Sequence, residues 1–190
     1  RGRIPQGILR TVVPAAPDAW LTALARFGTM SFANLAAPAQ ALAADGFPAH
    51  EDLVSCSTQF ERYYRRISEE NARIWLPGDT PVEEGQRFRL PALANTIGAL
   101  MDVDKAAAAK SGRDAGLQAV RDVFYKGGIA EIMIRHIKAH DGWLTHADLA
   151  THHTPVVEAT GADVFGGKLY TPASWTQGPA LSQALQILDS

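Results

Sequence analysis

The 190-residue sequence lacks several features that would narrow its function at once. It has one cysteine, Cys56, so an internal disulfide is excluded, and we expect its thiol to be buried or half-buried. No apolar run approaches the roughly 20 residues that a membrane-spanning helix needs. The formal net charge is −2, and no block of one sign predicts a nucleic-acid or membrane surface. We therefore expect neither a nucleic-acid partner nor a membrane-spanning segment.

The residues that are present indicate a folded, helix-rich α+β chain, since 46% are hydrophobic and 20% are charged. β-Branched residues predict a strand over 7–14. Apolar residues at helical spacing predict a helix over 17–28, with Asp18 as its N-cap. Stop signals on either side then predict two short alanine-rich helices over 31–46, the second beginning near Pro38.

The middle of the chain also favours helices. Residues 51–75 predict a longer helical stretch, and a further helix is expected over 90–101. The tract over 102–116 carries little pattern, and we interpret it as an exposed, partly helical insertion. Two more helices are predicted over 117–128 and 128–142, divided by a Gly-Gly pair.

The last part of the chain changes its periodicity. Residues 154–172 are β-branched and aromatic around a second Gly-Gly pair, which predicts two short strands. An amphipathic helix closes the chain, and we expect Leu181, Leu185 and Leu188 to face inward. Three short strands so far apart cannot form a self-sufficient sheet. We therefore expect their partners to lie in polypeptide beyond these 190 residues.

Six separated blocks of sequence occur in a fixed order: VVPAAPDAW, RFGTMSFANLAAPAQALAADGFP, IWLPGDTPVEEGQRFRLPALANTI, VFYKGGIAEIMI, GWLTHADLATHHTPVVEA and FGGKLYTPASWTQGPALSQALQILDS. In this order they resemble the middle of the large subunit of the gamma-glutamyltransferase family, from about Leu9 to the last residue. The resemblance implies that residues 1–190 are part of the large-subunit region of an αββα Ntn-hydrolase sandwich.

Members of this family are heterodimers that cleave themselves once and then use a new N-terminal threonine as nucleophile. The resemblance implies a self-processing zymogen with hydrolase and acyltransferase activity on gamma-glutamyl or related amides, as in glutathione metabolism. The threonine is expected downstream of this chain and a substrate-clamping arginine upstream, so we assign no catalytic residue here. The implied partners are the rest of the large subunit, the small subunit and a small-molecule amide substrate.

Two departures from the family pattern favour a side branch of amidohydrolases and acylases. Ala15 stands where transpeptidases usually carry glycine, and Pro17 follows it. Before the last helix the chain reads Pro172 and then ASWTQGP, a form more similar to that branch than to the glutathione enzymes. Because family members are often exported, a periplasmic or secreted location and a cytoplasmic one both stay open.

The segment between the last predicted strand and the last helix is the candidate substrate-binding site. Its members are Trp175, Thr176, Gln177 and Gly178, preceded by Ser174. A polar, aromatic loop that leads into a helix places backbone N–H groups at the helix start, where they can bind a ligand. The competing interpretation is an ordinary strand-to-helix turn with Trp175 in the core.

Histidines offer a second candidate site. His136 and His140 are four residues apart, which places both on one helix face, as a metal pair requires. That face also carries Ile132, Met133 and Ile137, so we expect both imidazoles to lie inside an apolar stripe and expect neither metal nor cofactor. A metal-binding helical domain stays open as an alternative, as does a catalytically inactive structural module that kept the family's helices.

Overall fold

The computed structural model describes residues 7–190. This part of the chain divides into two compact units, one ending at His153 and the other formed by Thr154–Ser190. Helices dominate the first unit. Its α-helices have the following bounds: α1 (Ala16–Phe27), α2 (Phe32–Asp45), α3 (Glu51–Gln59), α4 (Glu61–Ile67), α5 (Glu69–Trp75), α6 (Pro91–Ser111), α7 (Arg113–Tyr125), α8 (Gly128–Ala139) and α9 (His146–Ala150).

The first unit also contains 3-10 helices at Gly7–Arg10 and Pro77–Asp79 and a small antiparallel sheet of β1 (Phe47–Pro48) and β2 (Arg87–Phe88). The Phe47 and Phe88 rings meet edge to face across this sheet, with centroids 5.8 Å apart. Phe88 is buried together with Ala49 and Val82. Through this aromatic pair, the short β1–β2 sheet packs into the buried cluster around Phe88.

The main core of the first unit lies where α1, α6 and α7 meet. Leu21 and Leu24 of α1 pack with Leu100 of α6 and with Leu117 and Val120 of α7. The spacing of three residues within α1 and within α7 places each pair on one helix face. Burial of each leucine contributes about 1.5–3 kcal/mol relative to exposure, so this cluster holds the three helices together.

The second unit is a hairpin followed by a helix: β3 (Thr160–Val164), β4 (Gly167–Thr171) and α10 (Gly178–Leu188). The strands are antiparallel, with Val164 opposite Gly167. The two turn residues, Phe165 and Gly166, have φ of 50° and 72°, as a tight hairpin turn requires. The Phe165 N–H donates to Asp189 Oδ2 at 2.8 Å. The prediction of two short strands here is therefore confirmed.

The prediction of a helix-rich α+β chain is confirmed, but residues 7–28 differ in detail. The strand predicted over 7–14 is wrong: the chain forms the 3-10 helix Gly7–Arg10, and the following residues pair with no strand in the described part of the chain. β-Branched residues favour a strand only where a neighbouring backbone completes the ladder. Asp18 is not an N-cap, because α1 begins two residues earlier with Pro17 in its first turn.

Two predicted helical regions have different boundaries. Instead of two alanine-rich helices, α2 is one continuous helix with Pro38 inside it, since the alanine content outweighs one lost backbone hydrogen bond. Conversely, the stretch over 51–75 breaks at Phe60 and Ser68 into three helices. The Ser68 hydroxyl accepts hydrogen bonds from the N–H groups of Glu70 at 3.2 Å and Asn71 at 3.4 Å, which starts a new helix.

Residues 102–116 are more regular than the predicted partly helical tract, and whether they are an insertion relative to the family stays a prediction. They are the end of α6 and the start of α7, separated by Gly112 at φ 86°. Asp104 is 1% exposed and Gly116 is buried. A methyl group on Gly116 would lie 2.3 Å from Asp104 Oδ1. The tract is poor in large apolar residues because the two helices approach closely there.

The surface carries more apolar groups than the sequence predicted. Leu181 and Leu188 of α10 are exposed, contrary to the expectation that they face inward, because within the second unit only a two-stranded hairpin is available to cover the helix. Cys56 is exposed as well, contrary to the expected burial. Over residues 7–190, no helix combines the length and the apolar character needed to cross a bilayer.

Candidate functional site

The predicted substrate-binding segment is a compact turn between β4 and α10. The Thr176 hydroxyl donates to the Ala173 carbonyl oxygen at 3.1 Å and accepts the Gly178 N–H at 3.0 Å. The Thr176 N–H also donates to Ala173 at 3.1 Å. Gln177 precedes the helix but its side chain makes no capping bond. Thr176 therefore organises this turn and satisfies the first amide of α10.

Gly178 is required by packing at this turn. Its φ is ordinary, but a methyl group there would lie 2.6 Å from the Pro172 carbonyl oxygen and 2.7 Å from Thr171 Cβ. The absence of a side chain lets the end of β4 pass directly against the start of α10. Because the Gly178 N–H is already bonded and Pro179 has none, the helix start offers fewer free backbone donors than the sequence argument assumed.

Trp175 and Gln177 are the members of the segment that point outward. Trp175 is 76% exposed, so the competing prediction of a core tryptophan is wrong within the second unit. Gln177 and Ser174 are exposed as well, whereas Thr176 is half-buried. The structure thus separates the four predicted site residues into two with accessible side chains and two that hold the backbone.

The first unit contains a buried polar cluster that the sequence did not predict. Asp18 of α1 is 1% exposed, and its Oδ1 lies 2.6 Å from Arg121 Nε of α7. The Asp18 N–H donates to the Tyr125 hydroxyl at 3.0 Å, and that hydroxyl donates to the Pro14 carbonyl oxygen. Arg121 also donates to Thr22 Oγ1 at 2.8 Å. In the sequence, the spacing of four residues between Arg121 and Tyr125 indicates only that both side chains lie on one face of a helix.

Burial dominates the electrostatics of this cluster. It raises the pKa of the Tyr125 hydroxyl above the ordinary value, an effect that the Asp18 N–H partly opposes. The carboxylate and the guanidinium form an ion pair, and the phenol hydroxyl is bonded to two backbone groups. The arrangement ties α1 to α7, and its contacts support positioning of these helices rather than proton transfer.

The histidine pair does not lie where the sequence argument placed it. Ala130, Ile134 and Ile137 form the buried face of α8, whereas His136 and His140 are exposed. Their ring centroids are 4.3 Å apart. From Gly7 to Ser190, no cluster of three or more His, Cys, Asp or Glu side chains could hold a metal ion. The expected apolar stripe around both imidazoles is therefore wrong.

A sequence model described as gamma-glutamyltranspeptidase matches residues 3–190. The chain belongs to the gamma-glutamyltranspeptidase family. Within this family it is 27% identical over 182 residues to glutathione hydrolase proenzyme 1 of Schizosaccharomyces pombe, covering 96% of this chain and 26% of that protein. It is 29% identical over 184 residues to the acylase ACY 1 proenzyme of Pseudomonas sp. strain SE83, covering 96% and 30%.

A solved family structure has the same fold. The gamma-glutamyltranspeptidase from Pseudomonas nitroreducens superimposes with a TM-score of 0.78 at 25% identity, covering 95% of this chain and 48% of that one. The expectation of a helix-rich segment of an Ntn-hydrolase fold is thereby confirmed. The chain spans roughly a quarter to a third of the length of the two curated relatives. Both of those relatives are named as proenzymes.

Proposed function

We propose that this chain is the scaffold and part of the pocket wall of an enzyme that hydrolyses or transfers the acyl group of gamma-glutamyl or related amides. The observation that carries the proposal is the family match over residues 3–190. The names of the curated relatives, a glutathione hydrolase and an acylase, support an amide as substrate. Because the chain covers 26% and 30% of those relatives, the nucleophile is expected outside it.

In the proposed reaction, an N-terminal threonine supplied downstream of this chain attacks the amide carbonyl with its hydroxyl. Its own α-amine accepts the hydroxyl proton and returns a proton to the leaving amine. The acyl-enzyme ester then passes its acyl group to water or to an acceptor amine. Residues of this chain bind and orient the substrate in this scheme, and none of them is assigned a covalent step.

The pocket-wall role falls to the accessible residues of the turn before α10. The exposed indole of Trp175 offers an apolar face for the aliphatic part of an amide substrate. Gln177 offers both a donor and an acceptor for its polar end. Thr176 and Gly178 hold the backbone that presents these two side chains. A mostly apolar wall with a few placed polar groups is the usual composition of a small-molecule site.

The proposed partners are the rest of the large subunit and the small subunit. The second unit exposes several large apolar side chains, namely Phe165, Tyr170, Trp175, Ile187 and Leu188. An isolated two-stranded hairpin is marginally stable in water. We infer that further strands and helices of the intact heterodimer cover much of this surface. Residues 1–190 are thus proposed as one part of a larger sandwich.

The test compares the intact protein with the 190-residue chain alone. Each is assayed with a gamma-glutamyl anilide and with an acyl anilide that lacks the α-amino acid group, and mass spectrometry follows self-cleavage. We expect the intact protein to split into two chains and turn over one of these substrates, while the 190-residue chain is inert. Turnover by the short chain would contradict the scaffold role. An intact protein that stays uncleaved and inert would favour the catalytically inactive module.

A further inference from the structure

A cleft with mixed polar and apolar lining lies in the first unit between α8 and the segment around α4 and α5. Its volume is about 340 Å³. Tyr63, Ser68 and Asn71 line it from the α4–α5 segment, and His136 and His140 line it from α8. None of these side chains has a part in the proposed acyl-transfer chemistry. The cleft is therefore a feature that the family assignment leaves unexplained.

The two imidazoles lie side by side at this cleft. Their ring centroids are 4.3 Å apart, and both side chains are exposed. Two imidazoles bound through nitrogen at about 2.0–2.1 Å to one ion have ring centroids roughly 4.5–5.3 Å apart, so a small rotation of these exposed side chains reaches that separation. The spacing of four residues produces the juxtaposition, although His140 itself caps the helix. The pair is thus close to the geometry of a chelate.

The hydrogen bond of His140 determines which of its nitrogens is available. Its Nδ1 lies 2.8 Å from the backbone carbonyl oxygen of His136. A carbonyl oxygen only accepts, so Nδ1 carries the proton and, in the neutral imidazole, Nε2 has the lone pair. Metal-binding histidines usually have this arrangement, with one ring nitrogen on a carbonyl and the other on the metal.

The electrostatic setting of the pair favours a cation. His136 lies in the last turn of the 12-residue helix α8, and His140 follows the helix end. The backbone carbonyl groups at a helix C-terminus carry partial negative charge. Glu69 and Glu70 line a depression that both imidazoles share, so two acidic residues border the pair. Lys138 is turned away, donating to the carbonyl oxygens of Gly142 and Trp143.

We propose that His136 and His140 chelate a divalent transition ion of the Zn²⁺ or Cu²⁺ class at this cleft. Imidazole nitrogen is a preferred ligand for both ions. No third protein ligand is in place within residues 7–190, so water completes the coordination and the ion stays exchangeable. Imidazoles packed in an apolar stripe would not bind an ion, but both side chains are exposed.

The test uses the intact protein that carries this chain, purified without a histidine tag and stripped with EDTA. Calorimetry with Zn²⁺ is expected to show one ion per chain. His136→Ala and His140→Ala should each weaken binding by about tenfold or more. His153→Ala is the matched control, because His153 is an exposed loop histidine that does not line the cleft. Circular dichroism checks that all variants stay folded.

Cu²⁺ provides an independent readout. Electron paramagnetic resonance should show two imidazole nitrogens on the copper in the parent protein and one in His140→Ala. Absence of Zn²⁺ binding in the intact protein would overturn the proposal. Binding of unchanged affinity in both cleft variants, or equal weakening by His153→Ala, would place the ion elsewhere and overturn it as well. Because no step depends on amide turnover, the result is separate from that of the proposed enzyme activity.

Discussion

The carboxylate of Asp104 accepts a hydrogen bond from the Ala33 backbone N–H at 2.9 Å, although 71 positions separate the two residues. Ala33 lies in the first turn of α2, where the Ser31 hydroxyl accepts the Asn34 N–H at 3.2 Å. The helix start is therefore capped twice, once locally and once from α6. A buried carboxylate at this end also interacts favourably with the α2 dipole.

Asp104→Ala is expected to lower the free energy of unfolding by about 1–2 kcal/mol, because the Ala33 amide loses its acceptor inside the protein. Asp102→Ala, at an exposed position of the same helix, is the matched control and should change it by less than about 0.5 kcal/mol. Urea unfolding followed by circular dichroism measures both. Equal effects of the two substitutions would show that the contact with α2 does not contribute.

Gly116→Ala should destabilise the protein although alanine is the better helix former. The added methyl would lie 2.3 Å from Asp104 Oδ1 and 2.9 Å from the Asp104 carbonyl oxygen. We expect a loss of about 1–3 kcal/mol from overpacking. Gly98→Ala on α6, where a methyl meets nothing within 4 Å, should instead stabilise by about 0.5–1 kcal/mol. Thermal unfolding of both variants decides whether the two changes have opposite signs.

Arg121→Ala removes one ion pair from the buried Asp18 carboxylate. Because Arg121 is itself 30% exposed, we expect a loss of about 1–3 kcal/mol, below the cost of breaking a fully buried pair. Arg73→Ala removes an ion pair whose side chains are 75% and 87% exposed, and it should cost less than about 0.5 kcal/mol. If both arginine variants unfold at the same urea concentration, Asp18 is not held by Arg121.

Stability should fall as the pH rises past 10. Burial raises the pKa of Tyr125 above 10.0, so the unfolded chain loses this proton at a lower pH than the folded chain does. Above pH 10 the unfolded state therefore binds fewer protons, and the free energy of unfolding decreases with pH. Burial raises the pKa of Tyr64 in the same direction. Between about pH 9 and 11, the free energy of unfolding should decline less steeply with pH in Tyr125→Phe than in Tyr170→Phe.

Trp175→Ala in the intact protein tests the proposed pocket wall. Since Trp175 is 76% exposed within its unit, the unfolding midpoint of the 190-residue chain should change little. Loss of an aromatic contact worth about 1 kcal/mol should raise KM about fivefold with kcat nearly unchanged. Val157→Ala, at a position 61% exposed outside the turn, is the control. An unchanged KM in Trp175→Ala would remove this residue from the substrate site.

The sequence alone was sufficient for the elements whose pattern is local. α1, α7, α8 and α10 follow from apolar residues at helical spacing, and the β3–β4 hairpin follows from β-branched residues around a glycine pair. The order of six sequence blocks was sufficient for the family. These features are encoded by residues close together in the chain, so neighbouring positions carry the information.

Only the tertiary structure decided which residues meet. Asp104 looked like part of an exposed insertion because no local pattern reveals that α2 presents an unpaired amide to it. The sequence predicts Asp18 as a helix cap, whereas in the structure it contacts Arg121 and Tyr125, more than 100 positions away. His136 shares its helix with several isoleucines, and which face is buried depends on what packs against α8. Contacts between distant segments set these outcomes, and the sequence pattern of one segment does not contain its partner.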